Sequence, residues 1–432
     1  MSTLLTIAAI VLLYGVVSRP LDKRGVTSAL VFTVVGLVVG TAGLELIVTQ
    51  LESAGAVTIT EIALALLLFS DAARLDLRKL SRHRQWPSRL LLVGLPLTLI
   101  AGAVAGLLVF PGMALASAFL LSTMLASTDA ALGQRVVTDE AVPERVRQAL
   151  DVESGLNDGL AVPFFLVAVD IARAELTTGV TWAVVWNAAE QIGWGLLAGV
   201  AAGVLGGLLF RFAAGRGWLE GTWRQIVPLA VALLAFEGAV ELGGSGFIAA
   251  FVGGMAFGYA SRERGLNVTY FTEQTGDLVA ALVWIGFGAA ALAWAAPHVT
   301  WQVVLYALLS LTVVRMLPVA VALWRTGARP QTVAFIGWFG PRGLASIVFG
   351  LLALEAAVPD STTLLATVVV TVALSVVAHG LSSAPLVGVY RRWYAGRTDE
   401  HPDAVEAAPT ALPRSRRPLS ASLLHAGRDA AE

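Results

Sequence analysis

Asp151-Val152-Glu153-Ser154-Gly155-Leu156-Asn157-Asp158-Gly159 is the stretch on which the reading of this chain turns. It runs directly into Leu160-Ala161-Val162-Pro163-Phe164-Phe165, so Asp158 stands well inside an apolar segment. Residues three and four apart share one helix face. Ser154 and Asp158 are paired in this way, and so are Glu153 and Asn157, on adjacent stripes that together make one polar face. Oxygen donors without sulfur or imidazole suit a hard cation such as Na⁺. A charge at the centre of a bilayer costs about 2.5–3.5 kcal/mol on insertion scales, and is tolerated where it is paired or meets water. Acids held there are therefore functional candidates.

The composition explains why the surroundings are lipid. The chain has 432 residues, of which 57% are hydrophobic and 14% charged. Soluble domains are about 45–50% apolar and about 25% charged. So few charges leave too little polar surface to face water. The chain has no cysteine, which excludes disulfides and thiolate metal sites. Its five histidines form no close pair, which argues against zinc. No nucleophile–base or metal-ligand arrangement stands out, so no enzyme activity is expected, and no cofactor.

A membrane-spanning helix needs about 20 apolar residues. Thirteen stretches meet that length approximately: 2–18, 26–43, 57–73, 89–110, 112–134, 146–171, 185–213, 223–243, 245–261, 275–295, 299–324, 331–356 and 362–390. The first has no preceding positive residue and no small-x-small cleavage site, and reads as a helix rather than a signal peptide. Loop charges support the count. With the N-terminus outside, the inward loops hold Arg19, Lys23, Arg24, Arg74, Arg78, Lys79, Arg82, Arg84, Arg89, Arg135, Arg145, Arg147, Arg211, Arg216, Arg224, Arg262, Arg264, Arg325 and Arg329. The outward loops hold Arg173 and almost nothing else. Positive residues concentrate on the cytoplasmic side. The expectation is an all-α polytopic protein of the cell membrane with its C-terminus in the cytoplasm. From Arg391 the chain turns polar and rich in Pro, Ala and Arg, so residues 391–432 read as a disordered tail.

Two further places put ionisable groups where lipid should be. In the fifth span, Ser127-Thr128-Asp129 interrupts an apolar run. Such side chains compete with the backbone for hydrogen bonds, so the helix should unwind and free carbonyls for a cation. Arg315 lies deep in the eleventh span, and Arg342 lies within Gly340-Pro341-Arg342-Gly343 of the twelfth. Proline and glycine should break that span. Each arginine stays charged and needs a buried carboxylate or free carbonyls. Spans five and twelve are seven apart and so run in opposite directions. Inverted repeats with two discontinuous helices crossing at the midplane mark secondary transporters. Glu61, Asp71, Glu237 and Glu241 fall near span ends and read as interfacial; Gly203, Gly206 and Gly207 read as contacts between packed helices.

Ser127-Thr128-Asp129, Glu153-Ser154-Gly155-Leu156-Asn157-Asp158-Gly159 and Gly340-Pro341-Arg342-Gly343, in this order and spacing, resemble the cation:proton antiporter-1 family, and within it the NhaP-type Na⁺/H⁺ antiporters of prokaryotes. The resemblance covers residues 1–390. It implies thirteen helices, a mobile core supplied mainly by residues 57–171 and 275–390, a dimerisation domain, and a homodimer. It also implies roles. Asp158 binds the cation or the proton, and Asp129, Thr128 and Ser154 complete a Na⁺ site. Asn157 stabilises that site, Glu153 is held by a buried arginine (Arg315 being the candidate), and Arg342 sits at the helix crossing. Asn157-Asp158 in place of two acids implies electroneutral one-for-one exchange. Ala130 departs from the proline that many relatives carry.

The expected activity is exchange of a monovalent cation, Na⁺ and with it Li⁺, for H⁺ by competition at one buried carboxylate, serving pH homeostasis. The residues leave open a K⁺/H⁺ antiporter of the same fold, a cation channel or a symporter.

Overall fold

The computed structural model describes residues 2–48, 53–75, 85–129, 131–175, 181–262, 268–398 and 405–407. Every apolar stretch read from the sequence carries helix, and no strand occurs among the described residues. In chain order the helices are α1 (Thr3–Lys23), α2 (Ser28–Val39), α3 (Ala54–Arg74), α4 (Gln85–Val109), α5 (Leu115–Met124) and the short α6 (Gln134–Thr138). They continue with α7 (Glu144–Glu175), α8 (Trp182–Gly215), α9 (Gly221–Glu241), α10 (Gly246–Ser261), α11 (Tyr270–His298) and α12 (Trp301–Ala322). The last three are α13 (Pro330–Trp338), α14 (Leu344–Glu355) and α15 (Ser361–Thr398). Nine described helices are long and apolar enough to cross a membrane, while α2, α5, α10 and α14 are shorter apolar helices.

Helix regularity fails where the site is built. The fifth stretch is helical only to Met124 and resumes as α6 at Gln134. The twelfth stops at Trp338 and restarts at Leu344. Both interruptions fall where hydroxyl, acid, proline and glycine residues weaken helix. Three other irregularities left no such mark. α4 contains a π turn at Leu90–Gly94, α11 another at Phe287–Ala291, and α12 loses helical geometry at Thr312 (φ −113°, ψ −91°).

Small residues set how closely helices approach. Along α8, Gly195, Gly199, Gly203 and Gly207 recur every fourth residue and face α10. A Cβ at Gly199 would lie 2.8 Å from Ala249 Cα, and one at Gly207 2.8 Å from Ala260 Cβ. Gly206 turns instead to Val231 of α9. In the membrane such contact is driven by close packing rather than by exclusion of water. On the other side of α10, Gly254 and Gly258 lie against the backbone of Phe69 and Ala73 in α3. α7 is fixed to α14 by a stacked pair, Phe165 and Phe349, with ring centroids 4.5 Å apart.

The polar tail differs from expectation at its start. α15 runs on through Thr398, so residues 391–398 are helical rather than disordered. Tyr390 and Trp393 pack in an apolar cluster with Phe335 and Phe339 of the broken span, which gives the helix a reason to continue. Val405–Ala407 also returns to the protein: Arg145 donates to the Val405 carbonyl at 3.0 Å, and the buried Glu406 accepts from the Arg329 N–H and the Thr332 hydroxyl, each at 3.0 Å. A carboxylate at the start of α13 satisfies donors that the helix itself leaves open. The rest of the tail, including Arg414 to Arg417, lies outside the described residues, as do Arg78, Lys79, Arg82, Arg84, Arg264 and Ala130.

Candidate functional site

The two interruptions meet and bond to each other. The Asp129 N–H donates to the Pro341 carbonyl at 2.8 Å, and the Leu344 N–H donates to Asp129 Oδ2 at 3.1 Å. The other oxygen, Oδ1, accepts from the N–H of Ala131 at 2.8 Å and of Leu132 at 3.4 Å. Asp129 therefore closes the start of α14 and the turn that follows its own position. Gly343 leaves room for this, because a Cβ there would come within 2.5 Å of Asp129 Cβ.

Arg342 does the converse. Its guanidinium is fully buried, and Nη1 donates to the carbonyls of Ala126 at 2.7 Å and Ser127 at 3.1 Å. The sequence left a choice of carboxylate or carbonyls for each arginine, and Arg342 takes carbonyls. Arg315 takes the carboxylate: it grips Glu153 through two bonds, Nη1 to Oε1 and Nη2 to Oε2, the second at 2.7 Å. Both partners are buried. Paired guanidinium and carboxylate groups of this geometry give strong, directional bonds. The guanidinium also lies against the second interruption, where a Cβ on Gly340 would fall 2.6 Å from Arg315 Cζ.

The polar face of α7 closes the site. Ser154 donates to the Thr128 carbonyl at 2.6 Å, and Asn157 donates to the Ala126 carbonyl at 3.0 Å and to the Thr128 hydroxyl at 3.5 Å. These bonds correct one expectation. The freed carbonyls of 126–128 are not open to an ion here; Arg342, Asn157 and Ser154 occupy them, because a buried carbonyl needs a donor. What stays open is side-chain oxygen, together with Nε and Nη2 of Arg342. Asp158 Oδ1, Asn157 Oδ1 and Ser127 Oγ are buried with no hydrogen-bond partner among the described residues. Asp158 is faced by Ser127 and by the Thr128 backbone, and feels the charges of Asp129 and Asp71.

The structure thus brings Asp129, Thr128, Ser154, Asn157, Asp158 and Arg342 to one place, with Glu153 and Arg315 paired behind them. It adds two residues that sequence reasoning set aside. Ser127 was quoted with its neighbours but given no role. Asp71 was read as interfacial because it lies near the end of its span. It instead packs on α7 beside the site, its Cβ 3.6 Å from where a Cβ on Gly155 would stand. Glycine at 155 is what lets an acid from α3 come so near, a contact between distant segments that no local pattern announces.

Two interrupted helices that meet in a polar cluster are a recurring feature of secondary transporters. Residues 5–388 match the family described as sodium/hydrogen exchanger, transmembrane. The chain belongs to that family. Over 314 residues the chain is 25% identical to a Na⁺/H⁺ antiporter of Schizosaccharomyces pombe, covering 64% of this chain. Over 418 residues, 90% of this chain, it is 26% identical to the K⁺/H⁺ antiporter NhaP of Alkalimonas amylolytica. Each match spans 66% of the relative's own length. Among solved structures the chain is similar to the sodium proton antiporter MjNhaP1 from Methanocaldococcus jannaschii. That likeness has a TM-score of 0.71 at 18% identity, over 88% of this chain and all of the other. It shows the same fold.

Proposed function

We propose that this exchanger carries Na⁺ out of the cell against H⁺, one for one, by competition at Asp158. The observation that carries the reading is the buried Asp158 Oδ1, which has no hydrogen-bond partner among the described residues, on a side chain faced by Ser127 and by the Thr128 backbone. A buried oxygen without a donor is expensive to keep. A desolvated Na⁺ or a bound proton satisfies it equally, and one carboxylate cannot hold both. If the empty ionised form is too costly to move through the membrane, only loaded forms cross, and exchange follows without a separate proton path. Thr128, Ser154 and Asp129 complete the cation shell in this reading, with Asp129 using lone pairs that its backbone bonds leave free.

The pairing of Glu153 with Arg315 supports electroneutrality, since it leaves Asp158 as the carboxylate that changes its load. One charge then enters as one leaves, and membrane potential does no net work. Inward arginines support a cytoplasmic C-terminus and a cell-membrane location. The mobile core, the dimerisation domain and the homodimer belong to the same proposal. One observation favours K⁺ as the cargo instead: the K⁺/H⁺ relative aligns over 90% of this chain.

Exchange in proteoliposomes, driven by a pH gradient and compared across Li⁺, Na⁺ and K⁺, separates these readings. Asp158→Asn should abolish exchange while the protein stays folded and monodisperse. Retained exchange in that variant would overturn the assignment. A rate that responds to an imposed potential would overturn electroneutrality.

A further inference from the structure

We propose that His379 is a positioning residue whose protonation closes the hydrogen-bond network holding the two halves of the broken α13–α14 span to α15. The proposal starts from a stripe the sequence reading passed over. Ser375, His379 and Ser382 recur on one face of α15, at spacings of four and three. Together they grip both sides of the second interruption. Ser375 Oγ accepts from the Arg342 N–H at 2.7 Å, on the α14 side. His379 Nε2 stands 2.9 Å from the Trp338 carbonyl and Ser382 Oγ accepts from Trp338 Nε1 at 2.9 Å, both on the α13 side. The Trp338 ring lies over the imidazole with centroids 5.1 Å apart.

The arrangement asks for two N–H groups on one ring. Nε2 meets the Trp338 carbonyl at 2.9 Å, and Nδ1 meets the Ser375 carbonyl at 2.9 Å. A carbonyl only accepts, and a neutral imidazole has a single N–H. In the neutral form one of these contacts therefore sets two lone pairs against each other. The Ser375 hydroxyl, 3.2 Å from Nδ1, is able to donate there, yet the Ser375 carbonyl still faces the same nitrogen. The imidazolium satisfies both carbonyls at once. It also places positive charge beside the last carbonyl of α13, where a helix favours a cation.

The charges that reach the ring are Arg342, from the interruption, and Arg315, from α12, both positive and so opposed to the imidazolium that the two carbonyls favour. Glu153 balances the second through its ion pair. The ring is buried and touches none of the proposed cation ligands. Its proton is separate from the one exchanged at Asp158 and acts on it through Trp338 and Arg342. Protonated, the ring donates to the Trp338 carbonyl of α13 and the Ser375 carbonyl of α15 at once; neutral, it keeps one of them, and the tautomer that keeps Ser375 frees Trp338 and loosens α13.

The proposal rests on the exchange reading for its consequence but not for its test. A chain retaining His379 as its single histidine (His83, His298, His401 and His425 replaced by Gln), labelled with ¹⁵N-histidine in nanodiscs, reports the ring directly. Between about pH 5 and about pH 9, which brackets the imidazole range, both ring nitrogens should move together from the imidazolium to the neutral signature. In parallel, His379→Gln should keep exchange within about tenfold of wild type, as loss of one hydrogen bond allows. Its rate-against-pH profile at saturating Na⁺ should lose a limb at the midpoint of the ring titration. A ring that stays neutral or stays charged throughout overturns the proposal, as does a His379→Gln profile superimposable on wild type. Absence of exchange in the wild-type chain would refute the transport reading instead, and the spectrum would still decide the protonation.

Discussion

The two interruptions look alike in a diagram and are opposite in chemistry. Where side chains join them, the first, residues 125–133, presents carbonyls past the end of α5, and the second, residues 339–343, presents the N–H at the start of α14, while one backbone bond runs the other way, from the Asp129 N–H to the Pro341 carbonyl. Each lends the other its charged side chain. Arg342 of the second fills the carbonyls of Ala126 and Ser127, and Asp129 of the first takes the Leu344 N–H. Charges that in a membrane sequence suggest ion sites are thus first of all each other's caps. Asp158 is different because α7 brings it to the crossing with Oδ1 unmatched. The comparison separates residues that build the crossing from the residue left free to use it.

The largest expected effect comes from the pair that backs the second interruption. Arg315→Ala leaves the Glu153 carboxylate buried and unpaired, and removing one partner of a buried pair costs about 3–5 kcal/mol. The thermal midpoint in detergent should fall accordingly. Glu153→Gln alone strands the guanidinium, whereas Arg315→Ala with Glu153→Gln removes both charges and should recover part of the loss. Strictly additive losses would mean that the two side chains do not act as a pair.

Next comes the crossing itself. Gly343→Ala drives a methyl group against the Asp129 side chain. Overpacking of this kind costs about 1–3 kcal/mol, and here it also pushes Asp129 away from the Leu344 N–H. Exchange should drop with stability. A Gly343→Ala protein of wild-type midpoint and rate would show that Asp129 does not hold the second interruption in place.

Much of this was legible in the sequence, and the divide has a physical cause. Apolar length located the helices, because lipid imposes it. The unwinding at Ser127-Thr128-Asp129 and at Gly340-Pro341-Arg342-Gly343 was legible too, since hydroxyl, acid, proline and glycine act on their own backbone. Partnerships were less so. Arg315 with Glu153 was inferred from resemblance, and Asp71 was set aside, because an approach across α3 and α7 depends on Gly155 being small rather than on any spacing within α3. The stripe of Ser375, His379 and Ser382 was readable by the same rule that found Ser154 and Asp158, but its residues are ordinary in a helix. The π turns and the lapse at Thr312 follow from packing and carry no local signature. Helix through Thr398 was missed because the polar residues after Arg391 hide Trp393, which packs in one apolar cluster with Tyr390 and anchors it.

The smallest effect separates the interruptions most finely. Ser154 and Ser375 each serve one orphaned backbone group with a single hydroxyl: Ser154 donates to the Thr128 carbonyl, and Ser375 accepts from the Arg342 N–H. Loss of either bond costs about 1 kcal/mol if the orphan finds another partner. A carbonyl has two lone pairs and tolerates partial satisfaction, whereas a buried N–H has one proton and is rarely left unmatched. Ser375→Ala should therefore lower the thermal midpoint more than Ser154→Ala, and it also removes the hydroxyl beside His379 Nδ1. Ser154→Ala should in turn weaken apparent Na⁺ affinity more than stability, because the proposed cation shell includes its oxygen. Equal midpoints for the two variants would erase the chemical asymmetry between the interruptions. A Ser375→Ala protein with the larger loss of affinity would move the cation shell from α7 toward α15.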